Sequence, residues 1–209
     1  MSKRGTLVVV SGFSGAGKGT LMNRLLEKYD NYALSISATT RQPRAGERDG
    51  EEYFFTTEDE FKKLIKEDKL VEYAKYVCHY YGTPRDYVEQ MLEAGKDVIL
   101  EIEIQGALEI KEKNPETLLL FVVPPSTEEL KNRLVTRGTE CDEVINKRIE
   151  RAVEEAKGMA KYDHILVNED VERCVDEMDQ IIQGEKDKTN NNEELIKEIQ
   201  TDLINYINQ

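Results

Sequence analysis

The sequence predicts a three-layer α/β fold: a central parallel sheet with helices on both faces, interrupted by an inserted mixed α/β lobe and a helical flap. Three observations carry this. Apolar runs rich in Val, Ile and Leu recur at Leu7–Ser11, Asp97–Ile104 and Leu118–Val123, as strands buried on both faces require. Segments with helical spacing of apolar residues separate the strands. Four glycines and a lysine fill the turn between the first strand and the first helix.

That turn reads Gly12-Phe13-Ser14-Gly15-Ala16-Gly17-Lys18-Gly19-Thr20, and Leu21, Met22, Leu25 and Leu26 follow at helical spacing. Strand, glycine loop and helix together are the context of a P-loop, so the core is of the P-loop NTPase type. Glycines let successive backbone N–H groups turn inward around phosphate oxygens. The helix start adds its positive end, Lys18 adds a point charge for the β- and γ-phosphates, and Thr20 adds a hydroxyl. The motif has one departure. Gly19 stands where G-x-x-x-x-G-K-[ST] has a hydroxyl ligand for Mg²⁺, so the ion has to be held by water, nucleotide phosphates and carboxylates from elsewhere.

Tyr32–Ile36 reads as a short strand, and 37–50 as an irregular loop broken by Pro43, Gly46 and Gly50. Arg41 and Arg44 flank the proline, and guanidinium forks grip phosphate bidentately. A solvated surface loop is the simpler reading of the same composition. Glu52–Thr56 reads as a strand, and Thr57 to Glu60 as a capping box opening a helix that buries Phe61, Leu64 and Ile65. Leu70–Val77 alternates like a half-exposed strand. Thr83 before Pro84 has the pattern of an N-cap with proline at the first helical position.

Asp97–Ile104 returns to the core and carries Glu101 and Glu103 on one strand face, where a P-loop fold places acids that handle Mg²⁺ and its waters; two salt-bridging glutamates are the plainer reading. After Leu118–Val123, Ser126 to Glu129 cap a helix with Arg133 and Arg137 one turn apart; Gly138 ends it. A helix from about Asp142 carries Arg148 and Arg151. Two readings stay open for these arginines: a lid that neutralises charge, or pairing with Glu150, Glu154 and Glu155. His164–Asn168 is the last core strand, with His164 structural, and Val171–Ile182 its helix. Past Gly184 the chain turns polar, then forms an amphipathic helix with Leu195, Ile196, Ile199, Leu203, Ile204 and Ile207. That stripe needs cover from its own core or from another subunit.

With 209 residues the chain suits one core domain with inserted lobes. Its net charge of −13 argues against a nucleic-acid partner. Cys78, Cys141 and Cys174 lack metal-site spacing and fit reduced thiols in a cytoplasmic protein. Met1–Gly5 leads straight into the first strand, so neither a signal peptide nor a membrane span is expected.

Taken together, Gly12–Thr20, Ser37–Glu47, Tyr80–Thr83, Glu101–Ala107, Arg133–Gly138 and Val167–Asp170 closely resemble the guanylate kinase family, over about residues 5–183. The resemblance implies a core (1–35, 94–125 and 158–184), a GMP-binding lobe (36–93) and a lid (126–157); 185–209 is a polar linker and helix outside it. It implies transfer of the γ-phosphoryl of ATP to GMP, with Mg²⁺ and without a covalent intermediate. Lys18, Arg41, Arg133, Arg137 and Arg148 are implied as catalytic, and Gly12–Thr20 with Asn168 as the ATP site. For GMP, the resemblance implies Arg41, Arg44, Tyr53 and Tyr81 on the phosphate with Ser37 and Glu47 nearby, and Glu72, Thr83 and Glu103 on guanine. Glu101 and Glu103 stand where many members carry aspartates, and the resemblance implies that the two are divided between GMP and the water of the metal ion. Guanine suits a carboxylate, which accepts N1–H and N2–H₂ together, whereas adenine would present a lone pair at N1. Thr83 can donate to O6, cap its helix, or do both. Two rivals remain at this point: a non-catalytic module of the same fold that binds phosphorylated protein, and a kinase for another monophosphate such as AMP.

Overall fold

The computed structural model describes residues 4–44, 46–76, 78–136, 142–186 and 193–207. The chain runs β1 (Leu7–Gly12), α1 (Lys18–Lys28), β2 (Tyr32–Leu34), β3 (Ala38–Thr39), β4 (Phe54–Phe55), α2 (Glu58–Lys66), β5 (Leu70–Tyr76), β6 (His79–Pro84) and α3 (Arg85–Glu93). It continues with β7 (Asp97–Glu101), α4 (Ile104–Lys113), β8 (Leu118–Val123), α5 (Thr127–Thr136), α6 (Asp142–Ala156), β9 (His164–Val167), α7 (Val171–Lys186) and α8 (Glu193–Ile207).

Five parallel strands form the main sheet in the order β2-β7-β1-β8-β9. Because side chains alternate, Val8 and Val10 face one core with Leu21, Leu25 and Met178, while Val9 faces a second with Leu100, Ile110 and Phe121. Both faces are covered, so an unbroken apolar run is the correct code for β1. The glycine loop thus leaves the carboxyl end of the central strand, with a packed helix layer on either side.

A smaller mixed sheet, β4-β3-β6-β5, closes on Phe61, Ala38 and Leu70. Thr57 caps α2 as its spacing predicts: its hydroxyl accepts from the Glu60 N–H, and Glu60 reaches back to the Thr57 N–H. β5 joins the two parts of the molecule, since Val71 packs into the main core and Leu70 into the lobe's own. The flap helices α5 and α6 share a third cluster of Leu130, Leu134, Ile145 and Ala152, against which Phe13 of the glycine loop packs.

Several expectations change. The strand expected at Tyr32–Ile36 stops at Leu34, and within the 37–50 loop Ala38 and Thr39 pair with both β4 and β6. β6 runs through Thr83 to Pro84, and α3 starts one residue later than expected with no side-chain cap; Thr83 is a buried strand residue, not an N-cap. β7 ends at Glu101 and Glu103 is the N-cap residue of α4, so the two glutamates do not share a strand face. The apolar run of Ile102 and Ile104 belongs to the turn and helix that pack on the sheet. Gly184 lies inside α7, which continues to Lys186 because Gln183 and Lys186 both bond to the buried carboxylate of Asp97. On α8, Ile199, Leu203 and Ile204 are exposed on this chain, so its own core does not cover the stripe. Arg137, Gly138, Cys141 and Val77 lie outside the described residues. No helix among the described residues is long and apolar enough to cross a membrane.

Candidate active site

Glycine is needed in the loop for a reason the coordinates make specific. Gly15 and Gly17 adopt φ of 92° and 91°, the left-handed region that side chains avoid. A Cβ on Gly17 would stand 2.5 Å from the Asn168 amide nitrogen. Gly19 differs: it is helical, and a Cβ there would meet nothing within 4 Å. Phe13 turns its ring into the core, edge-on to Phe121 at 5.2 Å, and thereby anchors the loop. Lys18 Nζ donates to the carbonyls of Gly12 (2.8 Å) and Phe13 (3.3 Å), which holds the ammonium over the cradle.

The ammonium lines a cavity of about 570 Å³ at the carboxyl ends of β1 and β7. Ser14, Glu101, Glu103 and Arg148 line it too, together with Arg151 and Glu155 from the flap. Arg148 Nη1 donates to Ser14 Oγ at 2.9 Å. Ser11 Oγ donates to the Ile102 carbonyl at 2.7 Å, which ties the end of β1 to the turn that carries Glu101 and Glu103.

On the other side of the loop, Gly15, Gly17, Thr20, Arg133 and Asn168 line a second cavity, of about 520 Å³. Asn168 is buried, and its amide donates to the Ala16 carbonyl at 2.8 Å. Arg133 donates from Nε to Glu129 (2.7 Å) and from Nη2 to the Asn168 carbonyl (2.9 Å). These contacts lock the loop to the α5 and β9 ends, so Asn168 is a structural support of the cradle as well as a wall of this cavity.

In the lobe, Arg41 makes a bidentate pair with Glu47, both contacts at 2.9 Å, and its guanidinium lies 5.3 Å from the Tyr53 ring centroid. Glu47 also accepts the Arg44 N–H at 2.7 Å. The Arg41 fork beside it holds the Glu47 carboxyl below the usual carboxylate range. Tyr53 and Tyr81 meet edge to face at 6.1 Å, and the Arg44 side chain is exposed. Ser37 precedes β3, where its carbonyl accepts the Phe54 N–H. Glu72 is partly buried and accepts the Thr83 hydroxyl at 2.8 Å. Burial pushes the Glu72 carboxyl up, and the Thr83 hydrogen bond opposes this only in part. The other Glu72 oxygen faces Gly106, where a Cβ would come within 3.4 Å. Gly106 is in the first turn of α4, so the Glu72–Thr83 pair sits against the helix whose N-cap, Glu103, lines the Lys18 cavity. The Arg41 cluster does not line that cavity; it belongs to the lobe.

The guanylate kinase family model matches residues 4–185. The chain belongs to the guanylate kinase family. A guanylate kinase of Caldanaerobacter subterraneus is 51% identical over 204 residues, covering 98% of this chain and 99% of that protein. The guanylate kinase of Bacillus subtilis is 50% identical, over 88% of this chain and 91% of its own. Among solved structures, the guanylate kinase of Anaplasma phagocytophilum superposes with a TM-score of 0.70 at 32% identity, over 90% of this chain and 89% of that one. Guanylate kinases are nucleoside monophosphate kinases, ATP:GMP phosphotransferases, and the family activity expected from the sequence stands. Sequence reasoning gave Gly106 no role, named Glu155 only as one of three carboxylates in reach of the α6 arginines, and left Arg151 undecided; the Arg151–Glu155 pair is the pairing reading realised. Their signal was weak: one is a glutamate among many on α6, one an ordinary helix glycine, and one a helix arginine with carboxylates in reach.

Proposed function

We propose that the two nucleotides of the guanylate kinase reaction divide between the core and the lobe, meeting at the Lys18 cavity. ATP lies with its phosphates in the Gly12–Thr20 cradle and its base toward Asn168 and Arg133. GMP lies in the 36–93 lobe. Its phosphate is held by Arg41 and Arg44 with Tyr53 and Tyr81, and Ser37 lies nearby; Glu47 orients the Arg41 fork. Its guanine is read by Glu72 and Thr83, with Glu103 at the entrance. The 126–157 segment is the lid, and Arg133 and Arg148 with Arg137 supply positive charge as the phosphoryl group moves.

The single observation that supports this best is the Glu72–Thr83 pair: a partly buried carboxylate bonded to the hydroxyl of a fully buried threonine, one residue to accept N1–H and N2–H₂ and one to donate to O6. A site with such groups rejects a base that cannot satisfy them by roughly 10⁴–10⁵.

The donor set fits Mg²⁺ carried largely by nucleotide phosphates and water. Glu101, Glu103 and Glu155 are carboxylates that line the Lys18 cavity, the first two named for this role by the resemblance, and no group of three or more His, Cys, Asp or Glu among the described residues makes a dedicated cage. When bound, the ion neutralises charge on the β- and γ-oxygens. Lys18 and the lid arginines position the donor; the lobe positions the acceptor oxygen and excludes water.

A coupled assay of ADP release with GMP, dGMP, AMP and UMP tests the reading. Strong preference for GMP is expected, with dGMP also accepted. Equal rates with GMP and AMP would contradict it, and no turnover with any monophosphate would favour the non-catalytic alternative.

A further inference from the structure

We infer that Arg151 is a phosphate-binding residue of the lid and that Glu155 is the positioning residue that aims it into the Lys18 cavity. The inference rests on the ATP:GMP phosphotransfer proposed above and adds to it a cation outside the motif arginines.

Arg148 and Arg151 are three apart on α6, hence on one face, and both line the cavity with Lys18. Arg151 spends its two ends differently. Its Nε donates backward to Glu155 Oε1 at 2.9 Å, one turn along the same helix. Its Nη2 donates across the cavity to Glu103 Oε2 at 2.5 Å. The two carboxylates are unlike. The Glu155 side chain is only 14% exposed, and its second oxygen is buried without a hydrogen-bond partner among the described residues. A carboxylate so little exposed has more to lose by giving up its arginine than an exposed one does. The Glu103 side chain is 70% exposed and hydrates at little cost, so the Arg151–Glu103 pair is worth little by itself.

Glu155 therefore acts as a fixed support that preorganises a planar fork, and Glu103 occupies the outward edge of that fork. Phosphoryl oxygens carry more charge than a carboxylate and match a guanidinium edge bidentately. An ATP γ-phosphoryl in the cavity displaces Glu103 from Arg151 and leaves Glu155 in place. The same exchange releases Glu103 toward the guanine side of the cleft.

The test is steady-state kinetics with ATP and GMP on the full chain and on Arg151→Gln, Arg151→Lys, Glu155→Gln and the Arg151→Gln/Glu155→Gln double variant, with thermal midpoints for each. Arg151→Gln is expected to lower kcat roughly 10- to 100-fold with KM for GMP changed less than threefold, and millimolar guanidinium restores part of the rate. Arg151→Lys does not restore it, because a point charge lacks the fork. Glu155→Gln lowers kcat several-fold in the parent and adds nothing in the Arg151→Gln background, since it acts only through that arginine. A kcat for Arg151→Gln within twofold of the parent would overturn the inference. So would additive losses in the double variant, or losses that track thermal midpoint and resist guanidinium. A parent that fails to phosphorylate GMP refutes the functional reading itself, whereas an active parent matched by Arg151→Gln sinks only this addition.

Discussion

In the reading proposed above, the cradle in the core and the reader in the lobe solve the same problem, holding a nucleotide, with opposite materials. The cradle is main chain. Nine consecutive residues, from the last of β1 into the first turn of α1, shape it, and its conformation is secured by Phe13 packing and by the Asn168 and Arg133 contacts to Ala16 and Asn168 backbone. The lobe is side chain. Arg41, Glu47, Tyr53, Glu72, Tyr81 and Thr83 come from four separate stretches and hold one another by an ion pair, a hydrogen bond and ring contacts. Backbone amides suit a phosphate chain common to all triphosphates, whereas discrimination among bases needs particular side chains at fixed heights. A general anion site can be local in sequence; a selective one is assembled from a distance.

If the division is real, damage to each half has its own kinetic signature. The largest effect is expected from Lys18→Ala: kcat falls by two to three orders of magnitude, in line with loss of one preorganised electrostatic group, with GMP binding nearly unchanged. Glu72→Gln comes next. It offers a donor where two acceptors are needed, so the kcat/KM ratio of GMP over AMP should fall at least about 100-fold, measured by ADP release. Arg41→Lys is milder. Losing the bidentate fork should raise KM for GMP by roughly tenfold and leave KM for ATP within about twofold.

The pH dependence sharpens the same contrast. In the proposed reading GMP binds the ionised form of Glu72, whose carboxyl burial has pushed up. KM for GMP should therefore start to rise, as pH falls, above the ordinary carboxylate range, and Glu72→Gln should remove that limb. The stability sign is the reverse of a paired carboxylate's. A raised folded pKa means ionised Glu72 costs stability at higher pH; the cost begins to shrink as pH falls through the folded value and is gone below the unfolded one. The smallest effect concerns Gly19. Being helical with open space around it, Gly19→Ala should raise stability by about 0.5–1 kcal/mol in thermal unfolding, whereas Gly17→Ala should destabilise through its positive φ and the Asn168 contact.

What was legible beforehand follows from this division. The glycine loop, the five core strands and the Thr57 capping box were readable because each is written in neighbouring residues. In the lobe, a phosphate grip by Arg41 and Arg44 could be read locally, whereas the proposed base reader came only through family resemblance, since nothing local says that Glu72 meets Thr83. Thr83 shows the limit well. Its position before Pro84 has the local grammar of a cap, and tertiary packing overrode that by burying it in β6 against Glu72. Glu103 was misplaced for a similar reason: an apolar run does not reveal where β7 hands over to α4, and Ser11 fixes that turn from far away. The uncovered stripe on α8 was visible as a pattern, and this chain supplies no cover for it.

Calorimetric titration of GMP into the parent, Lys18→Ala and Glu72→Gln proteins tests the separation most directly. The account predicts that Glu72→Gln weakens GMP at least tenfold while Lys18→Ala holds it within about twofold of the parent. Equal weakening by both substitutions would contradict it.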